Sequence, residues 1–194
     1  MCIRDSTRHT QPLGRVAEVL GEIDDPGMEI EIAVRKFDVP VEFSEAARKQ
    51  AARLPDVVRK SDLKDRVDLR DVPLITIDGE DARDFDDAVY CEPVELGTGQ
   101  RKRPGWRLLV AIADVSHYVR PGDALDDDAI ERGTSVYFPR RVIPMLPETL
   151  SNGLCSLNPD VDRLVLVCDM VIPATGAKAC LLYTSDAADE GLGV

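Results

Sequence analysis

The chain has 194 residues and carries 24 Lys and Arg against 36 Asp and Glu, a formal net charge of −12 at pH 7. With 44% hydrophobic and 31% charged residues, it has the balance of a folded domain rather than of a disordered tract. Its longest apolar runs, such as residues 108–113, fall far below the roughly 20 residues of a spanning helix. No charged-then-apolar leader opens the chain, so a cytoplasmic protein without membrane contact is expected.

In chain order, residues 14–20 alternate roughly like a strand, and residues 28–34 do so more clearly, with Met28, Ile30, Ile32 and Val34 on one face. The turn-forming residues 21–27 between them predict a hairpin, the end of a small β-barrel. Ser44 caps a helix predicted over residues 45–54, with Glu45 at its positive end and Pro55 closing it. Residues 56–71 are highly charged and read as a connector with a solvated face. A different texture begins at Val72: residues 73–78 are a short β-prone run, and residues 106–114 suit a strand buried on both faces. Residues 164–172 form a third strand candidate. Helices are predicted over residues 126–132, ended by Gly133, and over residues 148–152, ended by Gly153. Cys2, Cys91, Cys155, Cys168 and Cys180 form no C-x-x-C pair, which predicts buried reduced thiols rather than a zinc site or disulfides.

The most informative stretch is residues 76–88, TIDGEDARDFDDA. Two carboxylates about 4 Å apart repel by roughly 4 kcal/mol at an effective dielectric near 20. Several gathered at a strand end are stable only if cations neutralise them or their pKa values rise. Hard ions such as Mg²⁺ take oxygen ligands and keep waters for a phosphate substrate. On a strand, Asp84 and Asp86 share a face while Asp87 points away; on a helix, Asp84 and Asp87 align and Asp86 does not. A loop after Asp78 is therefore needed to gather all four, and Gly79 can supply its bend. Two ions about 3.5–4 Å apart suit phosphodiester hydrolysis. An ordinary solvated acidic loop is the competing reading of composition alone.

Residues 76–88 resemble the metal-binding signature of the ribonuclease II/ribonuclease R superfamily, the RNB catalytic domain. Further matches follow in order: VAIADVSHYVRPG at 110–122, RGTSVYFP at 132–139, IPMLP at 143–147 and SNGLCSLNP at 151–159. The resemblance covers roughly residues 12–178, and the wording of these motifs is closer to the bacterial ribonuclease R branch than to ribonuclease II. The resemblance implies a processive exoribonuclease that takes single-stranded RNA by its 3′ end, releases nucleoside 5′-monophosphates, uses Mg²⁺ with Mn²⁺ as an alternative, and acts as a monomer. It also implies that Asp78, Asp84, Asp86 and Asp87 are the catalytic and metal-binding acids. Asp78 and Asp87 would hold one ion with the scissile phosphate, Asp84 and Asp86 would help with the second, and Asp86 would be the most sensitive position. Tyr137 matches the aromatic residue on which the family stacks a base.

The fold class implied is α+β: the tail of a cold-shock/OB-type β-barrel, then the N-terminal part of a mixed α/β RNB catalytic domain. The expected divisions are a foreign end at 1–8, cold-shock residues 9–36, helix and connector at 37–71, RNB residues 72–178 and a foreign end at 179–194. The stretches 1–6 and 179–190 do not continue the family pattern and look like translated adaptor sequence. The family's later RNA-clamping arginine, second stacking aromatic and S1 domain have no counterpart, so the isolated chain is expected to be nearly inactive. His117 is expected to be structural, Arg132 to anchor the turn before Thr134, and Arg140 and Arg141 to lie outside the site. The rival readings are a non-catalytic RNA-binding relative and an acidic metal-buffering or interaction domain, which metal titration and RNA binding separate.

Overall fold

The computed structural model describes residues 15–16, 18–80, 82–176 and 180–184, the last five and Gln100 as backbone only. Helix α1 (Met28–Lys36) comes first, then α2 (Glu45–Ala51), and a long antiparallel hairpin of β1 (Asp87–Leu96) and β2 (Arg103–Ala113). Helix α3 (Ala124–Arg132) and a small ribbon of β3 (Val136–Phe138) and β4 (Arg141–Ile143) follow, and β5 (Val165–Pro173) and β6 (Cys180–Thr184) complete the main sheet. That sheet has the order β1-β2-β5-β6, with all neighbours antiparallel.

Two predicted helices form, α2 stopping at Ala51 short of the expected 54 and α3 starting at Ala124 rather than 126. The Ser44 hydroxyl accepts from the Ala47 N–H and opens α2. Asp123 accepts from the Leu125 and Asp126 N–H groups at the start of α3, and Gly133, left-handed at φ 71°, closes it. The two helices are tied by Gln50, whose amide donates to Asp123 and accepts from the Leu125 N–H. The strand predicted at 164–172 is β5. Residues 149–154 form a wide helical turn kinked at Gly153.

Four features of the fold differ from what the residue pattern predicts. Residues 28–34 are helical, not a strand. Glu29 and Glu31 sit in the first turn and Arg35 and Lys36 in the last, complementing the helix dipole, and Gly27 at φ 87° turns the chain into the helix. Met28 and Val34 are buried while Ile32 is exposed, so the alternation was not a buried sheet face. The described residues before it (15, 16 and 18–20) carry no strand, and Gly14 and Ala17 lie outside the described residues.

Second, β2 alternates: Leu109, Ala111 and Ala113 are buried, whereas Trp106 is 49% and Ile112 46% exposed. Among the described residues, one face of the antiparallel sheet is covered more fully than the other, as such sheets allow and parallel ones do not. Third, the 56–71 connector is not merely solvated. Asp62 is buried against Arg59, and Arg66 reaches the buried Asp114 at 2.6 Å. Fourth, Cys91 is exposed, although Cys155 is buried, and burial pushes its thiol up to about 12.

Two apolar clusters hold these pieces. One joins α2, α3 and the 146–155 segment through Ala47, Leu125, Leu150 and Leu154. The other places Leu109, Ala111 and Val167 beneath Leu69, Val72 and Leu74 of the connector. Among the described residues no helix is long and apolar enough to cross a membrane.

Candidate active site

The acidic segment lies where β1 begins. The β-prone run 73–78 touches the sheet through a single antiparallel bridge, Ile75 to Val89, closed by hydrogen bonds of 2.9 and 2.8 Å. Asp78 lies three residues beyond Ile75 and Asp86 three residues before Val89, so both leave this bridge at the same end. The chain then turns, the Ala82 N–H donating to the Gly79 carbonyl at 3.0 Å, and returns without regular structure to Asp86. The Ala113 N–H donates to the Asp86 carbonyl at 2.9 Å, so the β1–β2 ladder already holds Asp86 before Asp87 starts the strand. The chain does bend at Gly79, and the described residues 82–86 have no regular structure.

The Asp86 carboxyl is pushed above its usual range, first by the protein packed about it and then by the charges of Asp84, Asp87 and Asp78. The residue is nonetheless exposed, as are Asp78 and Asp87, while Asp84 is half-buried. Aspartate oxygens are the donors that Mg²⁺ prefers, so the residue types, by their chemistry and charge, suit a divalent ion. Among the described residues no three His, Cys, Asp or Glu side chains converge on a common point. The carboxylates are gathered around the loop rather than closed into a cage.

Tyr137 stands beside them on the β3–β4 ribbon, 63% exposed, its hydroxyl donating to Asp84 Oδ2 at 2.6 Å. That hydrogen bond, with the nearby negative charge, raises the phenol's pKa. The ribbon is fixed from outside by Arg141, which donates to Glu31 of α1 at 2.6 Å. Arg141 is therefore committed to an ion pair.

Sequence reasoning missed two supports. Ser156, fully buried, accepts from the Phe85 N–H and donates to the Arg83 carbonyl, and the neighbouring Leu157 N–H donates to the Phe85 carbonyl. The SNGLCSLNP motif was the available signal, but nothing in it says that it reaches back to residue 85. The second is a charged cluster behind β2. Burial would raise the Asp114 carboxyl, yet the Ser116 hydroxyl and the Arg66 guanidinium hold it below its usual range. His117 lies between Arg66, 3.4 Å from Nδ1, and Asp62, 3.6 Å from Nε2, a structural place as expected. Arg132 does more than anchor a turn, donating to the carbonyls of Pro40, Val41 and Pro144 and stacking 3.7 Å above Phe43.

An acidic loop at the start of an antiparallel hairpin, with an aromatic ribbon beside it, sits within the part of the chain that the RNB domain family matches, residues 66–180. The chain belongs to that family. The cold shock domain family matches residues 2–44, and the expected α+β class, a cold-shock portion followed by an RNB portion, is the one found. Among individual relatives, ribonuclease R of Vibrio parahaemolyticus is 60% identical over 164 residues, 84% of this chain and 19% of that protein. Ribonuclease R of Escherichia coli is 56% identical over 170 residues, 88% of this chain and 20% of that one. The solved structure of Mycoplasma genitalium RNase R in complex with ribose methylated single-stranded RNA is 34% identical, with a TM-score of 0.72 over 86% of this chain and 25% of that one. The chain thus spans about a fifth of the length of the curated relatives it matches.

Proposed function

We propose that this chain is the cold-shock-to-RNB portion of a Mg²⁺-dependent, processive 3′→5′ exoribonuclease that hydrolyses RNA to nucleoside 5′-monophosphates. The observation that carries the reading is the four-aspartate segment 78–87 leading into β1, with Asp84 bound by an exposed tyrosine, in a chain of the RNB family. The relatives named ribonuclease R, one of them solved with single-stranded RNA, support the substrate class.

Asp78 and Asp87 would hold one Mg²⁺, and Asp84 and Asp86 would help with a second; Mn²⁺ satisfies the same oxygen donors. When bound, these ions supply positive charge that offsets the charge developing on the phosphodiester during displacement. The chain's own residues present the 3′ end. The Tyr137 ring offers a sequence-tolerant stacking surface for a base, and its hydroxyl keeps Asp84 turned toward that surface. The loop backbone, fixed by Ala113 and Ser156, holds the aspartates in place while the strand advances. The same reading places the protein in the cytoplasm, as a monomer acting on single-stranded RNA 3′ ends.

The test uses a chimera in which residues 15–176 of this chain replace the matching stretch of Escherichia coli ribonuclease R. The unsubstituted chimera is expected to shorten single-stranded RNA from the 3′ end. Asp86→Asn is expected to lower hydrolysis by about 10²–10³-fold or more while RNA affinity holds. Hydrolysis unchanged by Asp86→Asn, with binding intact, would remove the assigned role.

A further inference from the structure

We propose that Ser156 is a positioning residue for the acidic loop, a role that rests on the nuclease reading above but is visible in the hydrogen bonds alone. Its side chain is completely buried. Its single hydroxyl bridges the peptide groups on either side of Asp84, accepting from the Phe85 N–H at 3.1 Å and donating to the Arg83 carbonyl at 2.7 Å. The next residue closes the clamp, the Leu157 N–H donating to the Phe85 carbonyl at 2.9 Å. Residues 83–85 have no strand or helix partners of their own, so these bonds do the work that a ladder does elsewhere.

The clamp is itself held fast. The Ser156 N–H donates to the Gly153 carbonyl, and its own carbonyl accepts from the Asn158 N–H at 2.8 Å and from Arg163 Nε at 2.7 Å. Cys155 on one side is buried in the apolar cluster with Leu150 and Leu154. A hydroxyl so rooted cannot drift, and it fixes where the Asp84 and Asp86 side chains leave the backbone. Removing the oxygen strands the Phe85 N–H and the Arg83 carbonyl next to a buried methyl group, and the loop must shift to resatisfy them. Geometry at a phosphoryl-transfer site tolerates little displacement. Ser156 touches no substrate and is not a catalytic residue; it acts through the backbone of the residues that are.

The experiment compares Ser156→Ala with Ser151→Ala in the chimera. The Ser151 hydroxyl is also buried, five residues earlier in the same segment, and has no hydrogen-bond partner among the described residues. The same atom is thus deleted without touching the loop. Ser156→Ala is expected to lower kcat about 10–100-fold with KM for RNA little changed, and to raise the Mn²⁺ concentration needed for half-maximal rate. Hydrogen exchange in the peptide spanning residues 82–87 is expected to accelerate while that of β2 stays slow. Ser151→Ala should do none of this.

An unaltered kcat in Ser156→Ala, or exchange that accelerates equally across the main sheet, would overturn the proposal; the second result would make Ser156 a support of the whole fold only. An inactive unsubstituted chimera would count against the nuclease reading instead. Exchange at residues 82–87 would then still decide the clamp, and no change there on Ser156→Ala would refute it.

Discussion

Tyr137 carries two separable chemistries on one side chain. The ring is exposed and the hydroxyl is bound to Asp84. Tyr137→Phe keeps the stacking surface and loses the hydrogen bond, so it should lower the chimera's kcat with little change in RNA affinity. Tyr137→Ala should also weaken binding of short RNA by about 1–3 kcal/mol. Titrating a fluorescent oligonucleotide against both variants, alongside turnover, separates the two effects; equal affinity for Ala and wild type would exclude a stacking role. The aspartates were legible in the sequence because the motif keeps them within ten residues. The hydrogen bond from Tyr137 and the clamp from Ser156 were not, because each joins positions 53 and 71 residues apart that only the fold brings together.

Among the elements, end signals were more readable than periodicity. Ser44 and Gly133 marked helix ends through local conformation that does not depend on the rest of the chain, whereas the Asp123 cap, two residues ahead of the expected start, was not read. Met28, Ile30, Ile32 and Val34 misled because the intervening glutamates satisfy a helix start and a strand's polar face equally well. The connector was misjudged for a related reason: a charge looks solvated in sequence until its partner is known. Asp62 tests this. Hydrogen bonds from Arg59 bring its carboxyl down to about 2, from an ordinary 3.8, against the opposing effect of burial. A lowered folded-state pKa stabilises the fold above the ordinary carboxylate range, and that contribution is lost as pH falls from 3.8 toward 2. Exchange of the peptide spanning residues 59–66 in the chimera should therefore accelerate across that interval relative to the rest of the domain. Asp62→Asn should flatten the local dependence and loosen the segment already at neutral pH.

For the whole molecule, the less covered sheet face decides behaviour. Trp106, Ile112 and Leu166 lie exposed on strands whose opposite face is packed. Contiguous apolar surface of this kind drives association. The purified 194-residue chain should bind a hydrophobic dye, elute as aggregates and leave RNA undegraded. A monodisperse chain that degrades RNA processively would contradict this.

The Glu31–Arg141 ion pair has a mechanical consequence. It couples the amino-terminal helix to the short ribbon that displays Tyr137. Losing that tie would leave the platform under the aromatic ring with one anchor fewer, a small effect of about 0–1 kcal/mol for a part-exposed pair.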